Sequence, residues 1–348
     1  MLDIFFLSNV IEADRRRYCG WQETEKERWK KLCMEIPGQD CGLFVEVIII
    51  CALVIMIGWN KGVKEWFEQF EQPVLKEVDI SGINSPNAIL MQARGGKILG
   101  EINGEAQIYP ASMTKIMTVI LGIENFDDLD EKITLTNEMF TGLYEQDATQ
   151  AGFQPGEEVR VIDLLYGAML PSGAECCIAL ADTISGSEAD FAELMNKKAR
   201  KLGMENTHFC DSTGLHNPDH YSTVKDIAVL MKYCIKNDTF REIVETSRHS
   251  TGVTNIHPDG ITYYSTMFKN LSDPTVTGGK ILGGKTGYTS EAGHCLVSFA
   301  EIEGREYIFV SAGASGADGN TIPHIQDAVT VYNRVGAAVE AKMNDNNK

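Results

Sequence analysis

Pro110-Ala111-Ser112-Met113-Thr114-Lys115-Ile116-Met117-Thr118-Val119-Ile120 is the stretch on which the reading of this chain turns. Apolar residues fall at 113, 116, 117 and 120, and steps of three and four predict a helix with one buried face. Ser112 then lies in the first turn, where unpaired backbone N–H groups and the helix dipole favour developing negative charge. Lys115 projects from the same side one turn later. A serine with a lysine three residues on can act as nucleophile and base, provided that the lysine is neutral. Burial or a neighbouring cation lowers a lysine pKa enough to achieve this, and Lys285 is a candidate for that cation.

The spacing S-x-x-K is weak by itself, and the chain carries its own control. Ser222-Thr223-Val224-Lys225 has the same form, but there Ser222 precedes an amphipathic run, Thr223 to Ile235, and is expected to be an N-cap. The Ser112 copy outranks it because two further motifs follow. One is Ser172-Gly173-Ala174. The other is Lys285-Thr286-Gly287, within Gly283-Gly284-Lys285-Thr286-Gly287-Tyr288-Thr289. Glycine at a strand edge lets a substrate backbone approach, a threonine hydroxyl donates to a carboxylate, and lysine supplies fixed positive charge.

Working outward, Asn87 to Ala93, a Gly95-Gly96 turn and Lys97 to Ile102 read as one hairpin. Cys295 to Ile302, a turn at Glu303 to Arg305 and Glu306 to Ser311 read as a second. Helices are predicted over 113–124, 161–170, 175–184, 188–202, 223–235 and about 325–339. Strands at both ends enclosing helices predict one sheet assembled from distant segments.

The amino-terminal part is different in kind. Leu43 to Trp59 (LFVEVIIICALVIMIGW) is 17 residues with one charge, Glu46; as a helix it would extend about 26 Å, close to the ~30 Å of a hydrocarbon core. A membrane-spanning helix is expected rather than a cleaved signal peptide, because 42 residues precede it and no A-x-A-like site follows. Residues 60–78 form a juxtamembrane linker in which Val63, Trp66, Phe67 and Phe70 share a helical face. That face suits either the membrane interface or packing on the globular part. Residues 1–42 make an amino-terminal tail without a readable motif, and 336–348 a carboxy-terminal one.

Composition narrows the function classes. Of the formal net charge of −18, residues 1–72 contribute little, with 9 Lys/Arg against 12 Asp/Glu. So acidic a body excludes nucleic acid as the expected partner. The nine cysteines show no CxxC pair or other ligand spacing, so neither a disulfide framework nor a metal site is expected. Cys176 and Cys177 sit in an apolar run and read as small core residues. His216 and His220 are four apart, but Pro218 between them breaks a shared helical face.

The three motifs, together with Gly152-Phe153-Gln154-Pro155-Gly156-Glu157, Asp211-Ser212-Thr213-Gly214-Leu215-His216 and the run Lys285 to Gly293, resemble the serine D-alanyl-D-alanine carboxypeptidases, low-molecular-weight penicillin-binding proteins. The resemblance covers about residues 79–335. It implies an α/β fold, an antiparallel sheet of about five strands flanked by helices, with a helical lobe and the site between lobe and sheet edge. It also implies a reaction without cofactor or metal. Ser112 attacks the carbonyl of a terminal D-Ala-D-Ala, D-alanine leaves, and water hydrolyses the acyl-enzyme. Lys115 would be the base and Ser172 the relay to the leaving amine. Lys285 and Thr286 would hold the carboxylate, with Gly287 alongside, and the backbone N–H groups of Ser112 and Tyr288 would form the oxyanion hole. The implied partners are peptidoglycan stem peptides and acylating β-lactams, and the implied place is outside the cell membrane on a single amino-terminal helix.

One position departs from the family pattern. The middle motif is usually Ser-x-Asn, and Ala174 can neither orient Lys115 nor bond a substrate amide. Glu175 next to it is expected to point elsewhere. This departure motivates a second reading, a weakly active muropeptide-binding protein, and shared acylation machinery motivates a third, a β-lactamase.

Overall fold

The computed structural model describes residues 75–271, 273–316 and 322–346. The expected membrane helix at 43–59, the tail before it and most of the linker lie outside them. Among the described residues no helix is long and apolar enough to cross a membrane.

The frame is a six-stranded antiparallel sheet. Its strands are β1 (Asn87–Gln92), β2 (Ile98–Ile102), β7 (Thr275–Val276), β8 (Gly279–Thr289), β9 (Gly293–Ile302) and β10 (Arg305–Ala314), in the order β2-β1-β10-β9-β8-β7. Both expected hairpins are present, and β7, two residues long, is the strand beyond the five anticipated. Two small hairpins stand apart: β3 (Lys132–Thr134) with β4 (Glu158–Arg160), and β5 (Arg248–Ser250) with β6 (Thr262–Tyr264). The first and last long strands meet directly, Asn87 opposite Ala312 and Gln92 opposite Tyr307, which joins the two ends of the domain in sequence.

Alternation along the strands fills two cores. Ile89 and Met91, Val297 and Phe299, and Ile308 and Val310 face a larger cluster shared with the helical lobe. Their neighbours Leu90, Leu296, Ala300, Tyr307 and Phe309 face the other side. There they meet the last helix, which runs from Pro323 to Asn346, longer than the 325–339 expected, and continues past residue 335, where the sequence places the start of a tail. Leu75 and Val78, ahead of residue 79, also pack into this second cluster beside Ile80.

The lobe contains α1 (Lys115–Asn125), α2 (Val161–Met169), α3 (Ala174–Ser185), α4 (Glu188–Leu202), α5 (Val224–Cys234) and α6 (Asp238–Glu245). A short α7 (Thr266–Asn270) precedes β7, and the last helix is α8. Helix α1 departs from the one-faced expectation, since every residue from Lys115 to Gly122 is buried. The other lobe helices surround it, so a helix apolar nearly all round becomes the centre of the lobe. Helix α5 begins one residue later than Ser222 would dictate. Thr223 is the N-cap and accepts from Asp226 N, because Ser222 is paired in extended conformation with Ile108 (2.8 and 3.0 Å). Helix α6 was not anticipated.

Candidate active site

Ser112 lies in a single 3₁₀ turn, Ala111–Thr114, that runs directly into α1. Ala111 has φ +46°, a left-handed conformation that costs a non-glycine residue roughly 1–3 kcal/mol and persists only where packing over-determines it. Here the loop carrying Gly214 presses on the Ala111 carbonyl from one side. From the other side comes β8. A Cβ at Gly287 would lie 3.0 Å from Ser112 N and 3.1 Å from Ala111 Cβ, so the absent side chain is what lets the strand reach the serine.

Lys115 Nζ lies 3.0 Å from Ser112 Oγ and donates to the Thr213 carbonyl at 2.7 Å. It is 4% exposed, and burial lowers its pKa from the ordinary lysine value. The nearby Asp211 and Glu175 oppose that shift without reversing it. Lys285 is buried too. Its Nζ lies 3.0 Å from Ser172 Oγ and 2.9 Å from the Thr286 carbonyl, and burial, followed by the charge of Lys115, holds its pKa well below normal. Two buried ammonium groups so placed disfavour one another's charge, and one of the pair being neutral relieves both.

Ser172 also adopts a left-handed backbone, φ +73°, in the connection from α2 to α3. Gly173 N donates to the Gly167 carbonyl at 2.8 Å and Thr266 N to the Leu170 carbonyl at 3.1 Å, so both ends of the kink are tied down. Ala174 begins α3, buried, its N–H on the Thr149 carbonyl at 2.8 Å. Glu175 makes no hydrogen bond to either lysine and commits one carboxylate oxygen to backbone N–H groups. Its Oε1 accepts from Ala151 N (2.6 Å) and Gly152 N (2.9 Å), and burial raises its pKa. Thr286 Oγ1 lies 2.7 Å from Thr266 Oγ1, and Tyr288 is exposed with its ring tilted against His294. Cys176 and Cys177 are free and fully buried, and burial drives both thiols up, Cys177 to about 12.

Ser112, Lys115, Ser172, Lys285, Thr286, Gly287 and Tyr288 therefore converge on one locus between the β8 edge and the lobe. With this arrangement in view, the profile of the D-alanyl-D-alanine carboxypeptidases matches residues 74–316. The chain belongs to that family. It is 35% identical over 233 residues to the D-alanyl-D-alanine carboxypeptidase DacF of Bacillus subtilis, covering 66% of this chain and 57% of that protein. To the D-alanyl-D-alanine carboxypeptidase of Streptomyces sp. strain K15 it is 37% identical over 205 residues, covering 57% and 69%. The crystal structure of the Streptomyces K15 DD-transpeptidase superposes with a TM-score of 0.66 at 30% identity, over 75% of this chain and all of that one. The chain spans a little under three fifths of DacF and of the DacC protein of Escherichia coli.

Within this family member, three contacts escape a reading of motifs. Thr213 contributes a main-chain carbonyl, which has no side-chain signature. Thr266 precedes Thr286 by 20 residues in an unremarkable helix start, and only the fold faces their hydroxyls. His220 lies in a loop, as Pro218 predicts, but it is not a solvent-facing loop residue. It is 2% exposed, with Nε2 2.9 Å from Thr114 Oγ1 and Nδ1 3.1 Å from Asp211 Oδ2.

Proposed function

We propose that the chain is a serine D-alanyl-D-alanine carboxypeptidase that trims peptidoglycan stem peptides outside the membrane, held there by the helix expected at 43–59. The observation that carries the chemistry is the buried Lys115 amine 3.0 Å from the Ser112 hydroxyl. A neutral amine at that distance is within reach of the hydroxyl proton. Ser112 Oγ attacks the penultimate D-alanine carbonyl as its proton passes to Lys115. Charge gathers on the carbonyl oxygen between the N–H groups of Ser112 and Tyr288, a pair of donors worth several kcal/mol of barrier as an order of magnitude. The C–N bond breaks with a proton delivered to the leaving amine through Ser172, whose hydroxyl sits beside Lys285. Lys285 and Thr286 hold the terminal carboxylate, and water then takes the acyl group from Ser112.

A second reading concerns the acceptor. The Streptomyces K15 structure is that of a DD-transpeptidase, and an acyl-enzyme of the same design can pass its acyl group to an amine instead of water.

Incubating the full chain with a β-lactam and weighing it intact tests the first half of the mechanism. A stable adduct in the native protein, lost in Ser112→Ala, is expected. No adduct would refute the serine assignment, and rapid turnover of the drug would mark a β-lactamase. Release of free D-alanine from a pentapeptide separates a carboxypeptidase from a binding protein of the same fold, and a new amide product on adding an amino-acid acceptor marks transpeptidation.

A further inference from the structure

The second partner of Lys115 is a carbonyl on a loop, and a buried polar chain holds that loop without entering the reaction above. Asp211 Oδ1 accepts from Thr213 N (2.8 Å), Thr213 Oγ1 (2.8 Å) and Gly214 N (2.6 Å), which closes the turn that aims the Thr213 carbonyl at Lys115 Nζ. Asp211 Oδ2 faces His220 Nδ1 at 3.1 Å, and His220 Nε2 faces Thr114 Oγ1 at 2.9 Å. Thr114 is the residue before Lys115. The chain of contacts thus leaves the base through its backbone neighbour and returns to it through its carbonyl partner. The loop has little room to shift. Gly214 adopts φ +81°, and a Cβ there would fall 1.9 Å from the Ala111 carbonyl oxygen, while the Ser212 carbonyl accepts from Thr118 Oγ1 at 2.6 Å.

We propose that Asp211 and His220 are positioning residues for Lys115. With only a methyl group at Ala174, the contact that orients the amine is the Thr213 carbonyl, and the Thr114–His220–Asp211 chain fixes that carbonyl in place. The inference rests on the reading of Lys115 as the base. Asp211 has an electrostatic effect besides. The charged and titratable groups that act on Lys115 are Lys285 from β8, Glu175, Cys176 and Cys177 from α3, and Asp211 from this loop, with His220 paired to Asp211. Asp211 favours the ammonium form and so opposes the lowering that burial imposes.

The test is the second-order rate constant for acylation of the full chain by a fluorescent penicillin, followed from pH 5 to 10. The acidic limb of the native profile reports Lys115 losing its proton, because only the neutral amine accepts one from Ser112. Asp211→Asn keeps an acceptor oxygen but removes the anion, so the limb moves to lower pH. His220→Gln and Thr114→Val loosen the carbonyl and lower the rate constant roughly ten- to a hundredfold, the size expected for a small misplacement of a catalytic group. Acylation of these variants still runs to full stoichiometry. Thr114→Val is nearly isosteric and keeps the test open if the Asp211 variant does not fold. Variants with native rate constants and an unmoved limb, even if less heat-stable, overturn the positioning role alone. A native protein that takes no penicillin overturns the base assignment and this inference with it.

Discussion

Gly287→Ala is the sharpest probe of how β8 meets Ser112, the proposed nucleophile. Gly287 has no left-handed φ among the described residues, so alanine brings no backbone strain, and the whole effect is the added methyl group. That methyl would lie 3.0 Å from Ser112 N, 3.1 Å from Ala111 Cβ and 3.2 Å from the Pro110 carbonyl oxygen, and relieving it requires the strand and the serine turn to separate by a few tenths of an ångström. Misplacement by about 1 Å can cost a hundredfold in rate, so a shift of that smaller size should cost about tenfold, near 1.4 kcal/mol of barrier. Removing an oxyanion donor outright, at roughly a hundred- to a thousandfold, sets the upper bound. Fold stability should change little, because one strand edge moves and the cores do not. The assay is stopped-flow acylation by a chromogenic β-lactam, with thermal unfolding in parallel. Acylation of Gly287→Ala at the native rate would refute the close approach as a requirement of the site.

Three other outcomes follow from the geometry. The Asp211 carboxyl lies at about 2, down from 3.8, against burial, because His220, Thr213 and Gly214 favour its anion; the difference is on the order of 2 kcal/mol. A depressed acid stabilises the fold above its unfolded pKa and loses that contribution as pH falls from about 4 through 2. Urea titrations should therefore show Asp211→Asn less stable than the native chain at pH 7, with the gap closing below pH 3; a gap independent of pH would contradict it. Tyr332→Phe removes the hydroxyl that accepts from Phe309 N and meets Ser298 Oγ, both at 3.1 Å within the second core. That should cost about 1–3 kcal/mol in urea unfolding while leaving penicillin acylation intact. Brief alkylation of the native protein with peptide mapping should modify Cys210 ahead of Cys176, Cys177, Cys234 and Cys295, all four buried, with Cys177 and Cys295 each pushed up to about 12. Early labelling of Cys177 would mean that α3 opens.

Much of the domain was legible because its signals are local. The helix after Ser112 and the two hairpins at 87–102 and 295–311 follow from apolar spacing and glycine turns, and they form there, the second extended to 293–314. Motif order also identified the residues that meet between β8 and the lobe. Two differences arise where tertiary contact overrides a local rule, and a third where the local signal is too short. Ser222 has the composition of an N-cap, but its backbone is spent on Ile108. Helix α1 has apolar spacing that suits one buried face, yet the other lobe helices close around it. Helix α6 is eight residues long, too short for its buried Phe240, Ile243 and Val244 to stand out.

By itself, then, the sequence determined which groups are available and that Ser112 and Lys115 share a helical turn, since a separation of three residues fixes their proximity wherever the helix forms. Only the tertiary structure decided the surroundings that fit Lys115 for the proposed role of base. Its burial comes from the surrounding lobe, its carbonyl partner arrives from 98 residues away, and Lys285 joins Ser172 across 113 residues. A pKa is set by the solvent and charges around a group, and those are assembled by the fold from segments whose own sequence carries no mark of the meeting.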